Sequence, residues 1–338
     1  MFPQVWRAGE WFRRSGIQTP QGGVARYYRL DLERNHPVST EITGYAASAL
    51  VFLDDLERAR AAARFLMAAW DPVGRAMPFE TEPSQFTYFF DCGIVVRGLL
   101  AVWRATGEET WLAGARAVGD AMAHDFRAPD GAMHPILTLP DKRPVEREAQ
   151  RWSRAPGCYQ LKAAMAWWDL WEATGDPCYS ELYRCLREDA LRTADDFLPG
   201  HADPRKVVDR LHAYLYFLEG LLPMPCAAVG AGIDRVAELL RALAPKFERS
   251  DVYAQLLRVR LYADRLGVTA VDRAAAEWEA GRLAEFAAVS QDPRVDGGFY
   301  FGRTGAKWAP YVNPVSTAFA LQALAMWSGA PASRQQLI

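Results

Sequence analysis

The chain has 338 residues, 50% of them hydrophobic, and a formal net charge of -2 from 39 basic and 41 acidic residues. That is ample apolar material for a large core, and so even a charge balance gives no footing for nucleic acid or an anionic membrane as a partner. No apolar stretch approaches the ~20 residues that span a bilayer, and Met1 to Arg14, with Trp6, Glu10, Trp11 and several arginines, lacks the basic-then-apolar order of a signal peptide, so a cytoplasmic location is expected.

Taken in chain order, the elements are helices in pairs. Gln4 to Arg14 forms a first, Trp-rich helix. Glu41 to Leu53 (EITGYAASALVFL) is apolar nearly all round and precedes the amphipathic ERARAAARFLMAAW. Phe90-Asp91-Cys92-Gly93 opens IVVRGLLAVW, followed by Ala105-Thr106-Gly107-Glu108 and a second amphipathic helix. Pro156-Gly157-Cys158-Tyr159 opens a similar unit with Ala173-Thr174-Gly175-Asp176 at its turn. Gly107 and Gly175 sit where a helix C-cap glycine belongs. Asp209 to Leu222 precedes GIDRVAELLRALAPKF, Asp251 to Leu266 precedes AAAEWEAGRLAEFAAV, and NPVSTAFALQALAMW from Asn313 to Trp327 stands last. Openings at 41, 91, 157, 209, 251 and 313 stand roughly 54 residues apart on average, the length of two helices and their loops.

Helices apolar all round must be covered on every side, whereas their amphipathic partners meet water. An inner ring inside an outer ring satisfies both. The expected fold is therefore all-α, a single domain over residues 1–338 closed into an (α/α)6 toroid, with the last helix paired to the first. An open solenoid is the alternative, and it would leave apolar terminal helices exposed.

In a toroid the loops entering the inner helices gather at one end. A polar residue recurs at that entry: Glu41, Asp91, Asp209, Asp251 and Asn313. Asp209, Asp251 and Asn313 read as N-caps. Glu41 is a poor cap type and shares a face with Tyr45 one turn on, so Glu41, Asp91 and Tyr45 are the catalytic candidates, with Asp296 as a third carboxylate. A raised-pKa acid and a partner carboxylate hydrolyse a glycosidic bond, while Tyr45, Tyr88 or Tyr159 would serve as proton donors in a lyase or epimerase.

The entry loops are rich in aromatics, which offer flat faces to sugar C–H groups, and in arginines, which grip carboxylates. The binding candidates are Arg26, Tyr88, Arg97, Trp152, Arg154, Tyr159, His212, Tyr214, Asp296, Tyr300, Arg303, Trp308 and Tyr311. Arg97, inside an apolar helix, must face either a neighbour's carboxylate or a ligand.

Five cysteines (Cys92, Cys158, Cys178, Cys185, Cys226) without a CxxC pair are expected to be free, buried thiols of a reducing compartment. The five histidines form no HxxxH or HExxH pair, so no metal is expected, and no cofactor. Serine-nucleophile, P-loop and dinucleotide motifs have no counterpart.

The runs Thr40-Glu41-Ile42-Thr43-Gly44-Tyr45, Phe90-Asp91-Cys92-Gly93 with Arg97-Gly98-Leu99-Leu100, Ala105-Thr106-Gly107-Glu108 and Asn313-Pro314-Val315-Ser316-Thr317 resemble the six-hairpin glycosidase superfamily. The nearest flavour is that of toroidal proteins related to the C-terminal domain of glucuronyl C5-epimerases. The resemblance covers roughly the whole chain and specifies fold better than activity, because the superfamily also holds unsaturated-glucuronyl hydrolases, N-acylglucosamine 2-epimerases and polysaccharide lyases. The sugar 2-epimerases use histidines at the barrel mouth, and only His212 stands in a comparable place here. The hydrolases need acids at helix entries, a role open to Glu41 and Asp91. The resemblance implies a uronate-containing sugar or oligosaccharide as ligand, acted on by hydrolysis, elimination or epimerisation. The alternative is a carbohydrate-binding or assembly scaffold without catalysis.

Overall fold

A computed structural model describes residues 2–148, 151–244 and 246–338. Among them are twelve α-helices: α1 (Pro3–Arg14), α2 (Thr40–Phe52), α3 (Leu56–Ala69), α4 (Phe89–Thr106), α5 (Glu109–Asp125), α6 (Leu161–Thr174), α7 (Pro177–Thr193), α8 (Pro204–Leu221), α9 (Ala227–Leu243), α10 (Ser250–Arg265), α11 (Arg273–Ala284) and α12 (Pro314–Trp327). Strands are only two or three residues long. The chain divides into two compact units. One comprises Thr19–Val24 and Pro37–Ala194, and the other Met1–Gln18, Ala25–His36 and Asp195–Ile338.

The 37–194 unit consists of three hairpins, α2/α3, α4/α5 and α6/α7, with α4 packed between α2 and α6. Helices α2, α4 and α6 are buried on nearly every face, whereas α3, α5 and α7 bury one stripe. Each hairpin reverses the chain once, so these three buried helices run parallel and their N-termini lie at one end. Small residues let their backbones touch. A Cβ on Gly44 would stand 2.8 Å from Ile94 O, one on Gly98 2.6 Å from Gly44 O, and one on Gly93 2.5 Å from Ala163 Cα. Helices α4 and α6 end at Gly107 and Gly175, at φ +70° and +74°, as the Ala-Thr-Gly turns lead one to expect.

The 195–338 unit repeats the plan with α8/α9 and α10/α11, α10 lying between α8 and α12. Its third pair joins the first helix to the last, since α1 packs on α12. Five of the six expected openings fall within about four residues of a buried helix start. The exception is 209. Helix α8 starts five positions earlier because Asp203 accepts from Arg205 N at 2.9 Å and Pro204 fits the first helical position. Asp209 is therefore no cap. Neither is Asp251, which sits one residue inside α10 after Arg249. Asn313 does cap, its Oδ1 accepting from Val315 N and Ser316 N at 2.8 and 3.2 Å. All five cysteines are free, but only Cys92 and Cys158 are buried. Cys178 and Cys185 are exposed because they occupy the water-facing stripe of α7, and Cys226 is half-buried. Among the described residues no helix is long and apolar enough to cross a membrane.

Candidate active site

In the 195–338 unit the site is built where α8 and α10 begin. Glu248 and Arg249 form a two-residue strand paired with Gly302 and Arg303. Successive strand residues point to opposite faces, and the two side chains part accordingly. Glu248 meets Arg303 at 2.7 Å, Arg282 at 2.6 Å and the Tyr253 hydroxyl at 2.7 Å. Arg249 turns the other way. Its Nε and Nη2 grip both oxygens of Asp251, at 2.9 and 2.5 Å, and Nη1 reaches Asp209 Oδ1 at 2.6 Å. Burial is the largest single influence and would raise the Asp251 carboxyl, but the Arg249 charge, His212 and the hydrogen bonds from Arg249 and the Val252 backbone together outweigh it, and the net shift is downward.

His212 lies one turn beyond Asp209 on α8 and is 8% exposed. Its Nδ1 is 2.6 Å from Gln255 Oε1 and 3.6 Å from Asp251 Oδ2, and its ring packs edge-on to Tyr216 at 4.4 Å. Desolvation pushes the imidazole down to about 4, against the pull of Asp251. It is therefore a neutral base at neutral pH. Asp209, with its side chain 45% exposed, is the group of this cluster that meets solvent.

Aromatic rings border the cluster. The Arg249 guanidinium lies over Phe301 at 4.4 Å, Phe301 stacks on Tyr311 at 5.1 Å, and Tyr311 leans on Tyr27 at 4.8 Å. Tyr300 stacks on Trp308 at 5.0 Å, and Trp308 lies against Arg303 on the Glu248 side of the strand. Burial raises the Tyr311 hydroxyl to about 12, so it stays protonated and able to donate. The 300–312 segment is pinned by Tyr311 and Val312, which pair with Arg29 and Tyr28, and by Ser250 Oγ, which donates to Tyr300 O at 2.7 Å.

In the 37–194 unit, Glu41 and Asp91 stand in the first turns of α2 and α4. Glu41 is half-buried behind the Ser39 cap, Tyr45 is buried one turn on, and Asp91 is 6% exposed. Tyr159 just precedes α6 with Phe90 at 6.3 Å and Trp152 edge-on at 5.0 Å, and its hydroxyl donates to Ala155 O at 3.1 Å. Burial, then the nearby Cys158 and Asp91, raises that hydroxyl. Tyr88 touches Phe79 at 5.1 Å. So Asp91, Tyr159 and Trp152 gather at the N-terminal end of the parallel helices.

Other expected site residues are engaged elsewhere. Arg97 Nε donates to Asp169 on α6 at 2.9 Å, which is the carboxylate partner rather than a ligand. Arg154 stands 3.6 Å from Glu148, and Arg303 is held by Glu248 and Glu285. Asp296 pairs with Arg7 and accepts from Ser290 N, tying a loop to α1. Tyr214 corrects its assignment as a binding residue: it is 4% exposed, between Phe197, Phe217 and Arg235 of α9, because two positions beyond His212 a helix turns to another face. Arg26 is half-buried. Arg249, Gln255, Phe301 and Tyr27 were not singled out from the sequence. The signal for two of them was faint but present: an arginine two places before Asp251, and one glutamine in the apolar run of α10. Among the described residues no group of three His, Cys, Asp or Glu side chains is arranged to hold a metal ion.

No protein-family model matches the sequence, and no curated protein matches it. Solved structures match it in fold. A sugar epimerase from a ruminal bacterium superposes with a TM-score of 0.70 at 12% identity, over 96% of this chain and 97% of its own. An alpha-amylase from Clostridium perfringens gives 0.68 at 11%, over 95% and 97%, and the cellobiose 2-epimerase of Spirochaeta thermophila 0.64 at 15%, over 96% and 97%. The likeness covers nearly the whole chain, and the fold is the six-hairpin (α/α)6 toroid expected from the repeats.

Proposed function

We propose that the chain is an enzyme that acts on a sugar or oligosaccharide by acid–base chemistry. The observation that carries the reading is His212, neutral, buried, 2.6 Å from Gln255 Oε1 and 3.6 Å from Asp251 Oδ2, beside a cluster bordered by stacked aromatic rings. A base of this kind suits removal of a proton from a carbon next to a carbonyl, the step that epimerisation and elimination share. Asp209 is the acid of the same unit that meets solvent. Glu41, Asp91 and Tyr45, in the other unit, are the carboxylate and hydroxyl candidates of a separate, hydrolytic reading. Sugar epimerases and an amylase share the fold, which supports a saccharide ligand. Arg97, Arg249 and Arg303 are already bound to the chain's own carboxylates, so the uronate is one arm of the test rather than its premise. Five free cysteines support a reducing compartment.

The test is proton NMR in deuterated buffer with neutral aldoses, disaccharides, uronic acids and unsaturated uronides. Deuterium entering the carbon next to the carbonyl, lost in His212→Asn, is the expected result. New reducing ends lost in Glu41→Gln or Asp91→Asn would instead mark hydrolysis through the carboxylates. Binding of any of these sugars without turnover would favour the non-catalytic scaffold, and no interaction with any of them would defeat the sugar reading altogether.

A further inference from the structure

We propose that Gln255 is the positioning residue of His212: its Oε1 accepts from Nδ1–H and so holds the ring in the tautomer whose Nε2 carries the lone pair. The catalytic use of that lone pair rests on the function proposed above, but the tautomer does not.

Three observations carry the assignment. First, Gln255 Oε1 and His212 Nδ1 are 2.6 Å apart across the α8–α10 interface, with both residues buried. Second, Asp251 Oδ2 lies 3.6 Å from the same nitrogen. Two acceptors therefore converge on Nδ1, and a proton there is attracted by both, whereas a lone pair there would be repelled by the carboxylate. The alternative amide orientation, with Nε2 donating to a bare Nδ1, would set that lone pair against Asp251. Third, Gln255 Nε2 is buried and makes no hydrogen bond, so the one polar bond of this side chain is to the histidine. A leucine would fill similar space without leaving a donor unmet. What it lacks is the acceptor.

The charges facing the ring are Asp209 from its own helix, Asp251 from α10 and Arg249 from the strand before α10. Arg249 binds both aspartates. Asp251 is thus locked in place and partly neutralised, able to orient the Nδ1 proton without drawing a second one onto Nε2. Among the described residues Nε2 itself has no hydrogen-bond partner.

The experiment is long-range 1H–15N NMR of the whole protein with 15N-labelled histidine, His212→Asn identifying the signal. In the native protein at neutral pH the expected pattern is a protonated Nδ1 and an unprotonated Nε2. In Gln255→Leu a second set of signals with Nε2 protonated is expected. In Gln255→Glu the added carboxylate should raise the His212 pKa by about one unit or more. A native protein with Nε2 protonated overturns the proposal, and so does a folded leucine variant with an unchanged spectrum. Should the leucine variant not fold, the native spectrum and the glutamate titration still decide. No substrate is involved, so failure of the sugar screen with this pattern intact would remove only the use of Nε2 in catalysis.

Discussion

His212 is a buried base held neutral, and that has a consequence for stability. Its folded pKa of about 4 lies below the ordinary 6.5. Between those values the unfolded chain binds a proton that the folded chain refuses, so the contribution of this residue is whole above pH 6.5 and is lost as pH falls toward 4, on the order of 3 kcal/mol over the window. Urea unfolding of the native protein and His212→Asn at pH 7 and pH 4.5 should show a smaller acid loss in the variant, and equal losses would refute the assignment. The Asp251 carboxyl, shifted downward, loses its contribution only at lower pH and does not confuse the comparison. Arg97 and Asp169 pose a different residue-scale question. Their side chains are 5% and 1% exposed. Removing one partner strands a buried charge, so Arg97→Met is expected to cost about 3–5 kcal/mol, while Arg97→Met with Asp169→Leu should recover most of it. Chemical denaturation of the two variants measures this.

At the scale of elements, the contact of α2 with α4 depends on absent side chains. The Cβ that Gly44→Ala adds would lie 2.8 Å from Ile94 O and 3.1 Å from Val95 Cα, backbone atoms that cannot swing aside. The helices must separate, and a loss of about 1–3 kcal/mol is expected. Glu41 and Asp91 ride on these helices, so the same variant should also reduce any turnover that depends on them. A thermal melt read beside an activity assay separates the two effects. Helix α12 offers a milder test. Asn313→Ala removes the acceptor of two backbone N–H groups and should cost about 1 kcal/mol, visible as a lower midpoint in denaturant. Cap positions also show where reading the sequence falls short. Asn313 was legible because an Asn-Pro pair opens an apolar run. Asp209 was misread as a cap because Asp203 and Pro204 already open α8 five residues earlier, and Asp251 because Arg249 draws it into an ion pair one residue inside α10.

At the scale of the molecule, a saccharide that binds only the folded chain must raise its stability by mass action, about 2.7 kcal/mol at a concentration 100 times Kd. A thermal-shift screen with neutral and acidic sugars should find such a ligand, and the shift should vanish in whichever of His212→Asn and Asp91→Asn removes a contact. What the sequence by itself determined is the architecture. Periodic apolar helices, Ala-Thr-Gly turns and six openings are local patterns, each written in a dozen neighbouring residues, and they translate directly into buried helices paired with amphipathic ones. What only the tertiary structure decided is which polar residues meet. His212 and Gln255 are 43 positions apart, Arg249 and Asp209 are 40, and Arg97 and Asp169 are 72. Whether a buried charge is satisfied, and whether a tyrosine such as Tyr214 faces a site or the core, depends on the rotation of one helix against another. That rotation is fixed by side-chain packing over the whole interface, and no local pattern in the chain records it.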